Sequence, residues 1–265
     1  MGKALELITG FVTAPGATFT PWTLASGNSL TIRNAPLDKK VLLLQTWADN
    51  QAAGVLRLHS PKTHDNVQGI RLDIMAATVV PLLPPGFPQA MFPQDVLVAE
   101  QTGSATAGDI ESGCLLVHYS ELPGVDANFI DIPTLKAKMR HIFTVENTLA
   151  LGIAGGYSGE ESINSQFDLF KANTPYALLG FLVDAECVCV RWRGADVGNV
   201  GLGGPGNPAL RELTRRWFVH LTEEYGIPLI PVFNSANRSA ILIDGAQDEN
   251  GIDVTVTSIL AELGA

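Results

Sequence analysis

Charge is what this sequence has least of. Only 17% of its 265 residues are Asp, Glu, Lys or Arg, while 46% are apolar; about a quarter charged is usual for a soluble chain. The shortage is greater on the positive side, with 17 Lys and Arg against 27 Asp and Glu and a formal net charge of −10. A protein that grips nucleic acid needs a basic face to neutralise phosphates. The one basic cluster, Lys136, Lys138, Arg140 and His141, reads as a solvated connector, and no basic arm precedes the first strand, so no direct nucleic-acid partner is expected. Long apolar runs are missing too: none reaches the roughly 18 residues that cross a bilayer as a helix. The apolar surplus is therefore expected in cores and in subunit interfaces, whose centres are depleted in charge. The opening residues, Met1-Gly2-Lys3-Ala4-Leu5-Glu6, carry an early acid and lack the apolar core of a signal peptide. Cysteine is scarce, with Cys114, Cys187 and Cys189 alone, which excludes a disulfide framework. Cys187 and Cys189, two apart in a strand, are expected to share one face as buried thiols in a reducing compartment. A zinc site would need further ligands.

Signatures of catalysis are missing in the same way. Gly201-Leu202-Gly203-Gly204-Pro205-Gly206 spells G-x-G-x-x-G before a helix. A dinucleotide turn also needs a buried parallel strand before it, a βαβ unit around it and an acid about 20 residues on. The surroundings read as antiparallel, so a flexible loop is expected here. Gly156-Tyr157-Ser158-Gly159 comes near a nucleophile elbow, but Glu160 stands where G-x-S-x-G ends, and a tight turn is expected. Among the histidines, His59 and His64 could meet across Ser60–Thr63, yet His64-Asp65-Asn66 has the composition of a turn. Double-barrelled cupin enzymes carry H-x-H on their metal strands, and this chain has none. Neither paired carboxylates nor a triad emerges. No catalytic, cofactor or metal residue is assigned, and the chain is expected not to be an enzyme.

What is present is a repeat. Asp95-Val96-Leu97-Val98-Ala99-Glu100, a turn-rich loop and Leu115-Leu116-Val117-His118-Tyr119-Ser120-Glu121-Leu122 match a second set in the same order. That set is Ser239-Ala240-Ile241-Leu242-Ile243-Asp244, a turn-rich loop and Val256-Thr257-Ser258-Ile259-Leu260-Ala261-Glu262-Leu263. Upstream, Leu56-Arg57-Leu58 pairs with Val190-Arg191-Trp192, Ser26-Gly27 with Ser158-Gly159, and Asn66-Val67 lies near Asn199-Val200. Repeats of this kind fix architecture before any other signal. The growing offset places an insertion in the second copy between positions 200 and 240.

Short strands broken by Gly, Pro, Asn and Asp turns are predicted near 6–13, 18–24, 28–33, 40–47, 54–59, 68–74, 77–82, 95–101 and 113–120. A second series is predicted near 142–153, 162–170, 176–183, 186–192, 197–202, 228–233, 239–244 and 253–260. This spacing belongs to sandwiches and barrels. Arg57 between Leu56 and Leu58, and Arg191 between Val190 and Trp192, take matching parity; a slip of one residue would turn either face inside out. One helix is predicted from Pro208 to Tyr225, capped by Asn207 and ended by Gly226, with Leu210, Leu213, Trp217 and Leu221 as its apolar stripe. A connector from Pro123 to Arg140 includes a helical turn near Thr134–Met139. Prolines punctuate Pro81–Pro93 and exclude a central strand there; its Phe87, Met91 and Phe92 suggest an intersubunit contact or a cover over the barrel's open end, and the intersubunit contact is the expectation.

Two tandem copies of about eight strands, the connector and the late helix together resemble the double jelly-roll major capsid proteins of tailless icosahedral double-stranded DNA viruses. The resemblance covers nearly the whole chain and rests on architecture rather than a short motif. It implies an all-β fold of two tandem jelly-roll β-sandwich/barrel domains with one inserted amphipathic helix. The first domain would span residues 1–124, the connector 125–140 and the second domain 141–265. It further implies homotrimers of nearly hexagonal outline, neighbouring capsid subunits as partners, assembly in the host cytoplasm, a place in the virion, and in many members an internal membrane beneath the shell. A competing reading is a carbohydrate- or receptor-binding β-sandwich (spike, fibre or lectin-like), with Trp22, Trp47 with Asp49 and Asn50, and Trp192 with Arg193 and Asp196 as pieces of a sugar site.

Overall fold

The computed structural model describes residues 2–62, 68–76, 79–152, 154–164, 170–248 and 251–264. In chain order the first half forms β1 (Gly2–Thr13), β2 (Thr20–Pro21), β3 (Thr23–Leu24), β4 (Val41–Asp49), β5 (Gly54–His59), β6 (Ile70–Ile74), β7 (Val80–Pro81), β8 (Gln89–Met91), β9 (Val98–Gln101) and β10 (Ile110–Leu122). Next come β11 (Asn128–Ile130) and α1 (Ile132–Lys138). The second half forms β12 (Met139–Leu151), β13 (Tyr157–Ser162), β14 (Pro175–Val183), β15 (Cys187–Gly194), β16 (Gly198–Gly206), α2 (Arg211–Thr214), α3 (Trp217–Tyr225), β17 (Ile230–Asn234), β18 (Leu242–Ala246) and β19 (Ile252–Leu263).

The strands pair antiparallel into four sheets. Sheet I runs β3-β1-β10-β4, with β7 and β8 both on β4, and sheet II runs β2-β9-β5-β6. Sheet III runs β12-β19-β14-β17-β11 and sheet IV β13-β18-β15-β16. In each half the first, eighth, third and sixth main strands make one sheet, and the second, seventh, fourth and fifth make the other. That order is the jelly roll, and it occurs twice. The fold is all-β, two tandem jelly-roll sandwiches.

Alternation decides which residues fill which core. Ala4, Ile8 and Val12 of β1, with Leu115 and Val117 of β10, face Leu56 and Leu58 of sheet II. Their neighbours Leu5, Leu7, Phe11, Cys114 and Leu116 face the other way, into a cluster that includes Cys189 and lies against Gly203 of sheet IV. That cluster continues through sheet IV to Leu149, Phe181, Val256 and Leu260 of sheet III. The layers therefore stack II, I, IV, III, and sheet I is dry on both faces. A strand buried on both faces reads as a nearly continuous apolar run, as Ala4–Val12 does. Much of the apolar surplus that composition assigned to subunit contacts is thus consumed within the chain.

Both sandwiches point the same way. At one end Lys3 bridges to Ala127, against which Gly198 also lies. At the other end Gln51 donates to Asp248 (3.0 Å). β11 adds to β17, and α1 lays Leu135 on the outer face of sheet III beside Leu179, Ile230 and Leu263. Asp131 caps α1 by accepting from Thr134 N (2.8 Å), so the helix starts ahead of the turn predicted near 134–139.

Several local expectations are corrected. Gly201–Gly206 is not a loop but the upper part of β16. Its glycines permit contact that side chains would forbid: a Cβ on Gly203 would lie 2.6 Å from Leu7 Cδ2, and one on Gly204 2.7 Å from Trp217 Nε1. Gly156–Gly159 is not a free-standing turn; β13 starts at Tyr157, and its register against β18 slips between Ser158 and Glu161. Gly159, at φ +75°, supplies the left-handed residue that such a bulge needs. The second strand of that half therefore lies at 157–162 rather than 162–170, of which 165–169 fall outside the described residues. Residues 28–33 contribute the isolated bridge Thr31–Val96, flanked by backbone bonds from Leu97 N to Leu30 O (2.9 Å) and from Ile32 N to Asp95 O (2.8 Å). The strand predicted near 77–82 is limited to Val80–Pro81, with 77 and 78 outside the described residues. Ser26-Gly27 follows β3 whereas Ser158-Gly159 lies within β13, so that pair is not equivalent; Asn66-Val67 is outside the described residues. The single helix of 208–225 is a one-turn 3₁₀ start at Pro208–Leu210, then α2 and α3. The break at Arg215-Arg216 follows Thr214, whose hydroxyl donates back to Leu210 O (3.3 Å).

Candidate interaction surfaces

The repeat carries a charged pair in each half, at the same place. On β15, Arg191 meets its cross-strand neighbour Asp244 of β18 through two bonds, Nε to Oδ1 (2.9 Å) and Nη2 to Oδ2 (2.6 Å). The ring of Tyr157 covers the guanidinium at 3.4 Å. Burial pulls the Arg191 pKa down, but the bonds to Asp244 and nearby charges outweigh it and leave it raised. On β5, Arg57 meets its cross-strand neighbour Glu100 of β9, Nε to Oε2 at 2.6 Å, and stacks on Phe19 at 4.1 Å. Aromatic, arginine and carboxylate thus recur at the start of the second strand (Phe19 just before β2, Tyr157 first in β13) and on the fourth and seventh strands of both sandwiches. Sequence reasoning aligned both arginines and both carboxylates without pairing them across the sheet.

The two sites differ in what lies above them. Sheet I seals Arg191 and Asp244, whose side chains are 8% and 3% exposed, whereas Arg57 and Glu100 on the outer face of sheet II are 18% and 13% exposed. In the sealed seam Tyr157 OH donates to Thr9 Oγ1 (2.8 Å), and Thr9 Oγ1 lies 3.3 Å from Cys114 Sγ and 3.5 Å from Cys189 Sγ. Trp47 Nε1 donates to Val188 O (2.9 Å), Trp217 Nε1 donates to Gly203 O (2.9 Å), and the two indoles meet edge to face at 6.1 Å. Tyr225 OH reaches Leu44 O. All three cysteines are free and buried, and burial pushes the Cys114 and Cys187 thiols up. His118, also turned toward sheet IV, has no hydrogen-bond partner among the described residues. Burial, and secondarily the Lys3 charge, holds its pKa at about 4.

The residues singled out from sequence separate. Phe87 and Phe92 stand 71% and 47% exposed. Met91 turns inward instead, because pairing with Val41 on β4 aims it at Leu43 and Leu97 in the first core. Beside it lies a cavity of about 10 Å³, lined by Leu43, Leu58, His59 and Met91 among others, room for no more than about one water. The tryptophans offered as sugar platforms, Trp22, Trp47 and Trp192, are all buried; Trp22 donates to Gln101 (2.8 Å) and Trp192 to Ser258 (3.2 Å). That removes the aromatic pieces of the carbohydrate reading. His59 Nε2 sits 3.4 Å from Glu100, and His64 lies outside the described residues. Lys136, Lys138, Arg140 and His141 are exposed along α1 and the start of β12. Among the described residues no group of three His, Cys, Asp or Glu is placed to hold a metal ion, and no helix is long and apolar enough to cross a membrane.

No protein-family model matches the sequence, and no curated protein does. Solved structures resemble it at very low identity. The PBSX exported protein XepA is 10% identical, with 97% of this chain and 86% of that one covered at a TM-score of 0.30. The major capsid protein P2 of bacteriophage PM2 is 6% identical, with 99% and 98% covered at 0.23. A triple jelly-roll protein of an archaeal virus turret is 8% identical, with 100% and 80% covered at 0.23.

Proposed function

We propose that this chain is a viral structural protein, the major capsid (coat) protein of an icosahedral shell, assembling as homotrimers. One observation carries the reading: two jelly rolls stand side by side, pointing the same way, joined by a dry seam. A trimer of such chains presents six similar sandwiches and suits a six-neighbour lattice position with three copies. Residues 1–124 and 141–265 are the two building blocks, and 125–140 ties them while lending β11 and α1 to the second. Phe87 and Phe92, exposed on a proline-stiffened loop, belong to contacts with neighbouring chains. With an acidic net charge, the coat does not hold the genome directly. Its place is the virion. Light scattering on the purified protein tests the reading: a stable trimer is expected at micromolar concentration, and electron microscopy should find shells where it is expressed. A monomer at that concentration overturns it.

A further inference from the structure

We propose that the trimer contact repeats the seam inside the chain: the outer face of sheet III of one copy seats on the outer face of sheet II of the next, and Glu146 pairs with Arg71 of that neighbour. This rests on the trimer reading above and adds to it a surface and a register.

The argument follows from strand pairing. Within one chain the outer face of sheet I is seated on the outer face of sheet IV. The equivalent faces in the other halves, sheet III outward and sheet II outward, have no sheet over them among the described residues. In the seam Leu7 packs on Gly203. Leu7 lies opposite Leu116, and Glu146 lies opposite Thr257; Leu116 and Thr257 are matched positions of the repeat, so Glu146 stands where Leu7 does. Arg191 lies opposite Gly203, and Arg57 lies opposite Arg71, so Arg71 stands where Gly203 does. Copying the seam outward therefore sets a carboxylate on a guanidinium. By the same mapping Thr148 takes the place of Thr9, and Phe19 that of Tyr157.

The faces suit this in charge and in polarity. Arg57 and Arg71 are like charges directly opposite each other, an unfavourable cross-strand pair, and of these two arginines it is Arg57 that Glu100 bonds. Arg71 and Glu146 are exposed, and neither has an ion-pair partner among the described residues. Around Glu146 the face of sheet III carries Thr144, Thr148, Ala150 and Thr255, while α1, Val219 of α3 and the end of α2 at Thr214–Arg215 cover other parts of it. The seam within the chain is dry and closes over the Arg191–Asp244 pair and the Tyr157–Thr9 bond. Its copy between chains is polar, as a contact made by separately soluble partners should be, and an Arg–carboxylate pair fixes its register.

The test uses the full chain in three forms, Arg71→Glu, Glu146→Arg and both together, with mass by light scattering and thermal unfolding followed in parallel. Each single variant is expected to keep the unfolding midpoint of single chains and to lose the trimer, and the double swap to regain it. Single variants that remain trimeric overturn this contact while leaving the trimer reading intact. A double swap that stays monomeric overturns the pairing. A monomeric unsubstituted protein overturns the trimer reading, and this contact with it.

Discussion

Asp244→Asn and Glu100→Gln make the same chemical change at matched positions of the repeat, and each keeps the shape of the side chain. In the first, a guanidinium that is 8% exposed loses a carboxylate that is 3% exposed. Stranding one partner of a buried pair costs roughly 3–5 kcal/mol, because the remaining charge stays desolvated. In the second, Arg57 keeps access to water, and the loss should be near ~1 kcal/mol. With a urea dependence of about 2 kcal/mol per molar, the midpoint should fall by ~1.5–2.5 M for Asp244→Asn and by about 0.5 M for Glu100→Gln. Urea titration followed by tryptophan fluorescence is the natural assay, since Trp47, Trp192 and Trp217 all lie in the cluster that runs through the seam. Measurements belong at concentrations where single chains prevail, because self-association adds its own stabilisation. Equal midpoint shifts would refute the claim that sheet I, rather than the pair's own chemistry, makes the Arg191 site different.

Two further outcomes follow from buried side chains. His118 is held at about 4 by burial first and Lys3 second, against roughly 6.5 when unfolded. Between those values the unfolded chain binds the proton and the folded chain does not, so this stability is complete above pH ~6.5 and declines toward pH 4, by up to ~3 kcal/mol. Urea midpoints across that range should fall less steeply for His118→Leu than for the unsubstituted protein; parallel curves would refute it. Met91→Ala should cost ~2–4 kcal/mol through the cavity it opens, whereas Phe87→Ser should leave single-chain stability within ~0.5 kcal/mol. Thermal unfolding of the two variants separates them, and a reversed ranking would show that Met91 is not a core residue.

The repeat was legible because its most similar strands, β10 and β19, are central and buried, where side-chain choice is narrow. The parity of Arg57 and Arg191 was legible for a related reason: period-two alternation survives divergence even when letters change. Contacts between layers were not. Gly201–Gly206 has the composition of a loop, and only the presence of Leu7, Cys187 and Trp217 against it explains why a strand there must lack side chains. Met91 sat among prolines and exposed phenylalanines, and its inward turn depends on pairing with β4, a partner nearly fifty positions upstream. The apolar surplus was counted correctly from sequence but could not be divided between seam and subunit contact, since both draw on the same residue types. One signal was available and unread: aligned arginines and aligned carboxylates, taken together, describe a duplicated salt bridge.

A middle layer wetted on neither side leaves the two sandwiches without a hinge. Rotating one against the other would pull Trp47 from Val188 and lift Leu7 off Gly203, so each chain behaves as one stiff brick. If such bricks tile a closed surface, all bending must occur at the joints between molecules, and the tightness of the curve is written in the loops and polar faces along their edges.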